Sequence, residues 1–222
     1  MNQKIHYYLY AGRRIGYLLH LPPSSPDETR RKLPVILYLH GAGERGDDPR
    51  LLTNYGLTKV LEETSDLHYI VISPQCPEDQ WWVADPPAIL SLLDHVILHH
   101  FGDDSRVYLT GASMGGYGAW MLGALHPERF AAVVPVCAVA LQEPGDVCGL
   151  RDTPVWALHG TDDDIVPVGQ TELMVSVLQA CGGTPEVTYV EGARHELGTT
   201  AYRDPALYTW LRRHSRVRKR AV

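Results

Sequence analysis

The chain has 222 residues, 45% of them apolar and 21% charged, with a net charge of −6. At roughly 150 residues per domain this is a single domain over residues 1–222, able to bury about 70% of its unfolded surface without a disulfide or a metal. The composition excludes a disordered, collagen-like or coiled-coil chain. The charge is uneven: six of the twenty basic residues fall between Arg212 and Arg220 with no acidic residue among them, which leaves the body at −12. So acidic a body disfavours nucleic acid as the main partner, and residues 212–222 read as a solvated, frayed basic tail.

In chain order, Lys4–Tyr10 and Ile15–Leu21 read as two strands of a hairpin around Ala11-Gly12-Arg13-Arg14. Pro22–Lys32 is a surface loop. Six short apolar runs follow, Val35–His40, Tyr69–Ser73, Arg106–Thr110, Ala131–Val136, Val155–His159 and Glu186–Val190. Helical patterns separate or follow them at Leu51–Glu63, Pro87–Phe101, Met114–His126, Gly169–Cys181 and Asp204–Arg213. Near-continuous apolar strands alternating with helices predict an α/β fold, a mostly parallel sheet covered on both faces. Ligands in such sheets bind beyond the carboxyl ends of the strands, so chemistry is expected just after His40, Thr110, His159 and Val190.

The longest uncharged run, Val107–Leu125, contains five glycines, a serine and a threonine, which makes it a poor membrane helix. No stable membrane insertion is expected. The N-terminus shows no secretory pattern. Four cysteines without Cys-x-x-Cys or zinc spacing read as free thiols in the cytoplasm, whereas export would admit a Cys137–Cys148 bridge. His95 and His99 stand four apart on the polar face of a helix, but with no third ligand nearby they read as surface residues. No metal or cofactor is expected.

After the strand ending at Thr110 comes Gly111-Ala112-Ser113-Met114-Gly115 and then an apolar helix. Gly-x-Ser-x-Gly between a buried strand and a helix is the setting of a nucleophile elbow, where flanking side chains would collide and the serine hydroxyl is lifted above the sheet. A serine needs a base to take its proton, and the base needs an orienting partner. Downstream, His159-Gly160-Thr161-Asp162-Asp163-Asp164 ends one strand, and Gly192-Ala193-Arg194-His195-Glu196 follows the last. Ser113, an aspartate near 163 and His195 therefore stand in the chain order of a serine triad, each at the end of a predicted strand. The segment Leu39-His40-Gly41-Ala42-Gly43-Glu44 lets backbone amides approach a substrate oxygen, so the Ala42 and Met114 amides are the candidate oxyanion donors. Its competing reading is a flexible glycine turn.

These motifs resemble the α/β-hydrolase superfamily, especially small bacterial esterases, also described as predicted peptidases or phospholipase/carboxylesterase-like proteins. They are similar to the feruloyl-esterase and polyhydroxybutyrate-depolymerase group. The resembling segments are Leu39–Gly46, Ser73–Pro77 with Trp81-Trp82, Gly111–Gly118, His126–Ala132, His159–Pro167 and Ala201–Leu211. The resemblance implies an α/β-hydrolase fold and places the triad acid on Asp163 and the base on His195. Relatives often carry Gly-His-Asp/Asn-x-Trp around the base, whereas this chain has Arg194-His195-Glu196-Leu197-Gly198, which weakens inference of the substrate.

Trp81 and Trp82 are read either as walls for an acyl or aromatic group or as cover for the core. Glu44 either orients the oxyanion loop or meets substrate. Only Cys137–Thr153 separates two strands where many lipases carry a cap, so no large cap domain is expected. The reading is a serine esterase acting on a short-chain or aromatic small-molecule ester, with no prediction of oligomeric state. The alternatives are a peptidase or thioesterase using the same residues, or a ligand-binding protein without turnover. A flat rate from roughly pH 5 to pH 8 would contradict a histidine base.

Overall fold

The computed structural model describes residues 3–23, 32–64, 67–82 and 84–216. Most of the expected loop at 22–32, and the end of the basic tail beyond 216, lie outside the described residues.

Eight strands form one sheet: β1 (Gln3–Tyr10), β2 (Arg13–His20), β3 (Leu33–Leu39), β4 (Ile70–Pro74), β5 (Gly102–Ala112), β6 (Ala132–Val136), β7 (Trp156–Gly160) and β8 (Glu186–Val190). Their spatial order is β1-β2-β4-β3-β5-β6-β7-β8. β1 and β2 form the expected antiparallel hairpin, β2 joins β4 antiparallel, and the remaining pairs are parallel. The helices are α1 (Gly56–Glu63), α2 (Pro86–His99), α3 (Met114–Leu125), α4 (Gly169–Ala180), α5 (Leu197–Thr200) and α6 (Pro205–Leu211). None of the described helices is long and apolar enough to cross a membrane.

The continuous apolar strands follow from burial on both faces. Along β3, Val35, Leu37 and Leu39 enter a core with Leu92, Leu109, Trp120 and Met174, while Ile36 and Tyr38 enter one with Leu61, Val134, Leu207 and Trp210. Strands with two buried faces lose the apolar–polar alternation of a half-exposed strand. Edge strand β1 keeps it, with Ile5, Tyr7 and Leu9 exposed and the residues between them half-buried. Helix starts follow local chemistry as well. Asp85 and Asp204 cap α2 and α6 by accepting the Ala88 and Ala206 amides, each ahead of a proline in the first turn.

Several expectations need correction. The helix expected over Leu51–Glu63 is split into a 3-10 turn (Pro49–Asn54) and α1, separated by extended Tyr55. At the break Gly56 has φ +71°, and the position admits only glycine, because a Cβ there would fall 1.6 Å from the Tyr38 hydroxyl. The short α5 was not anticipated, and β5 begins four residues before the expected Arg106. The basic tail is anchored through Arg216, whose amide donates to the Ser105 carbonyl at 2.8 Å and whose guanidinium meets Asp104 at 3.1 Å.

The cysteines are not all free. Cys148 and Cys181 form a disulfide with Cα atoms 5.5 Å apart, joining the 3-10 turn Pro144–Leu150 to the end of α4. The expected alternative bridge to Cys137 does not form, and Cys76 and Cys137 are buried thiols. The free-thiol argument for a cytoplasmic setting therefore fails for two of the four cysteines. The bridge spans 33 residues of sequence, and a loop of that size stabilises by about 2–4 kcal/mol. Denaturant unfolding of the oxidised protein and of a Cys148→Ser, Cys181→Ser variant should differ by that amount, and equal stabilities would show the bridge to be energetically idle.

Candidate active site

The strand order reverses direction between β3 and β5, the place where ligands bind in open α/β sheets. Ser113 stands between β5 and α3 with φ +59° and ψ −118°. A non-glycine residue at positive φ carries strain that the surroundings must hold in place. Here the Ser113 amide donates to the Val136 carbonyl at 2.9 Å, and its carbonyl accepts from Tyr117 at 3.1 Å. The glycines of the motif have a steric reason. A Cβ on Gly115 would fall 1.8 Å from the Leu39 carbonyl oxygen, and one on Gly111 would fall 2.2 Å from the Gly115 carbonyl oxygen.

Asp163 lies in the turn after β7 and is buried. Its Oδ1 accepts the Ile165 and Val166 amides at 3.0 and 2.8 Å, and its Oδ2 faces His195 Nδ1 at 2.8 Å. Burial pushes the carboxyl pKa up, but the His195 hydrogen bond and the two amides outweigh it, and the net shift is downward. The turn rests on His159, fully buried, whose Nε2 bonds the Val166 carbonyl at 2.8 Å and whose Nδ1 meets Thr171 Oγ1 at 2.7 Å. Burial lowers the His159 pKa, which favours the neutral ring.

His195 is half-buried after β8. Among the described residues no hydrogen bond joins it to the Ser113 hydroxyl, a spacing common in hydrolases before substrate binds. The two are brought to one end of the sheet through β6. Ser113 bonds Val136, and the thiol of the next residue, Cys137, lies within 4.8 Å of the His195 and Asp163 ligand atoms.

The candidate oxyanion loop is fastened from behind. His40 is buried and its Nε2 accepts the Cys76 amide at 2.9 Å, so Nδ1–H donates to the Gly41 carbonyl at 2.6 Å. Burial lowers its pKa to about 4, which keeps that tautomer neutral. The Gly46 amide donates to the Cys76 carbonyl at 3.0 Å, and Gln75 Nε2 donates to the Glu44 and Asp48 carbonyls. Ala42 and Met114 each open a helical segment, so their amides have no acceptor within it. Ala42 is exposed.

The remaining predicted site residues divide. Trp82 is 5% exposed, and its indole N–H donates to the His40 carbonyl at 3.0 Å, so it covers the core and holds the loop. Trp81 is 41% exposed, packs edge-on against Tyr117 and lines a cavity of about 230 Å³ with Ile15, Ile89 and Arg14. That cavity adjoins the oxyanion loop at Gly46 but none of the triad residues lines it. Glu44 is buried and its carboxylate lies against Gly41, which favours loop orientation over substrate contact. His95 and His99 have ring centroids 4.1 Å apart, and His99 Nδ1 bonds the His95 carbonyl.

Tyr55 was missed. Its hydroxyl donates to the His195 carbonyl at 2.5 Å, its ring lies nearly parallel to the imidazole, and the adjoining Gly56 amide donates to Thr199 Oγ1 at 2.9 Å. Cys137 was missed too, although it directly follows a strand end, the signal that located the other site residues.

Residues 78–143 match the prolyl oligopeptidase family. The chain is 28% identical to a poly(3-hydroxyoctanoate) depolymerase of Pseudomonas fluorescens over 60% of this chain and 58% of that protein. It is 30% identical to feruloyl esterase B of Neurospora crassa over 52% of this chain and 42% of that protein. A solved thermostable esterase superposes with a TM-score of 0.79 at 27% identity, covering 97% of this chain and 64% of the other. The chain spans 24 to 58% of the length of the first curated relatives it matches. The sheet order, the strained serine turn and these similarities give the chain an α/β-hydrolase fold.

Because the Asp163 pKa is depressed, its stabilising contribution is complete above the ordinary carboxylate pKa of about 4 and is lost as pH falls through the lower folded value. Acid unfolding of Asp163→Asn should therefore be shallower below about pH 4 than that of the parent protein. Superimposable acid limbs would show that the carboxylate is not held in the folded state.

Proposed function

We propose that the chain is a serine hydrolase of carboxylic esters that works through an acyl-enzyme on Ser113. Ser113 Oγ attacks the ester carbonyl while His195 takes its proton. Asp163 holds the imidazole tautomer and stabilises the imidazolium. The Ala42 and Met114 amides receive the oxyanion, worth about a hundred- to thousandfold in rate for each donor. His195 then protonates the departing alcohol, and in the second half it takes a proton from the water that releases the acyl group. The observation that carries this reading is the 2.8 Å Asp163–His195 bond at the same end of the sheet as the strained Ser113 turn. Backbone and side-chain groups supply every step, so no cofactor is invoked. A small soluble ester with a short or aromatic acyl group suits the half-exposed serine, and among the described residues only a 3-10 turn, not a cap, lies between β6 and β7.

A peptidase reading has one specific support, the prolyl oligopeptidase family match over residues 78–143. The same triad would act on an amide, and parallel assays on oxygen-ester, thioester and peptide substrates separate the readings.

With p-nitrophenyl acetate, the folded parent protein should turn over and Ser113→Ala should fall to background. Asp163→Asn should lose about 10³- to 10⁴-fold in kcat, since the wrong tautomer is then favoured. Equal rates for the parent and Ser113→Ala would remove the serine from the mechanism.

A further inference from the structure

Beneath the acid–base pair lies a group for which the hydrolytic cycle has no use. Cys137 follows β6 directly and has φ +44°, and its side chain is fully buried among the ends of β6, β7 and the base loop. Its sulfur, a carboxylate oxygen of Asp163 and a ring nitrogen of His195 all lie within 4.8 Å of one another. Among the described residues this is the one group of three or more such side chains gathered closely enough to hold a metal ion. One thiol, one imidazole and one carboxylate are three of the ligand types that zinc prefers, and tetrahedral zinc with three protein ligands keeps a fourth position for water.

The geometry points to a site for a borderline divalent cation such as Zn²⁺ on Cys137, Asp163 and His195, which competes with hydrolysis and makes the proposed esterase reversibly metal-inhibited. This inference rests on the esterase reading only for the inhibition, not for the binding.

The movement required of the Asp163–His195 edge is small. His195 Nδ1 and Asp163 Oδ2 are 2.8 Å apart. Metal–ligand bonds of about 2.0–2.1 Å set tetrahedral edges near 3.3 Å, so the pair opens by roughly half an ångström. Burial, then Asp163, push the free Cys137 thiol up to about 12, against a smaller opposing pull from the backbone at Gly160 and Gly198. A bound cation reverses that balance, because a coordinated thiol is deprotonated outright. The proton account is simple. Cys137 gives its S–H proton to solvent, and the imidazole exchanges its Nδ1 proton for one on Nε2 as Nδ1 takes the metal. With Nε2 protonated, the ring has no lone pair to accept the Ser113 proton. The His95–His99 pair is the obvious competitor for cations, but it offers no sulfur.

The test uses Co²⁺ alone on the folded, disulfide-intact chain. Coordination at Cys137 should give a thiolate-to-metal charge-transfer band in the near ultraviolet together with tetrahedral visible bands, all displaced by Zn²⁺. Ser113→Ala should keep the bands, so the binding can be read even if the esterase reading fails. Cys76→Ala should keep them too. Cys137→Ala should lose the charge-transfer band, as should His195→Ala should the cysteine variant not fold. In the ester assay Zn²⁺ should suppress turnover, EDTA should restore it, and Cys137→Ala should need at least about tenfold more Zn²⁺ for the same suppression. A parent protein without the charge-transfer band, or a band that persists in folded Cys137→Ala, overturns the site.

Discussion

The end of β3 and the first turn of α3 approach so closely that a single methyl group will not fit between them, since a Cβ on Gly115 would fall 1.8 Å from the Leu39 carbonyl oxygen. That approach fixes much else. It sets Met114, first residue of α3, beside the loop that leaves β3, which holds the other proposed oxyanion donor, Ala42. It also forces the turn between β5 and α3 to be tight, and the turn drives Ser113 to positive φ. The strain is held by backbone hydrogen bonds to the neighbouring strand and within α3, which do not depend on the serine side chain.

Around this centre, three buried or half-buried histidines have separate duties. His40 is kept neutral by burial and bolts the oxyanion loop to the 75–76 segment. His159 is also kept neutral, and props the turn that carries Asp163. His195 alone of the three is half open to solvent, with Nδ1 bonded to the Asp163 carboxylate, the arrangement the proposed general base needs. Burial thus turns two identical side chains into structural pins and leaves the third free to move a proton.

The strands and the placement of the candidate triad residues at strand ends were legible in the sequence for related reasons. Two-faced burial leaves continuous apolar runs such as Val35–Leu39, and each triad residue lies just past such a run, so strand ends and chemistry are read together. What could not be read depends on distant segments meeting. Tyr55 lies 140 residues from His195 in sequence, and no local pattern announces their hydrogen bond. The Cys148–Cys181 pairing depends on where a 3-10 turn lies against the end of α4, and spacing alone does not report that. The need for glycine just after extended Tyr55 comes from Tyr38 filling the space a Cβ would take, a tertiary constraint that no local pattern announces. Glu44, polar and next to glycines, has the sequence character of a surface residue, yet it turns inward to lie against Gly41.

The central claim is that Ser113 is the nucleophile, activated by His195. Incubating the folded protein with a fluorophosphonate and mapping the adduct by peptide mass spectrometry tests it most directly, because the reagent needs an activated serine rather than a good substrate. One phosphonylated residue, Ser113, is expected, with labelling strongly slowed in His195→Ala. An adduct on another serine, or equal labelling rates in the two proteins, would contradict it.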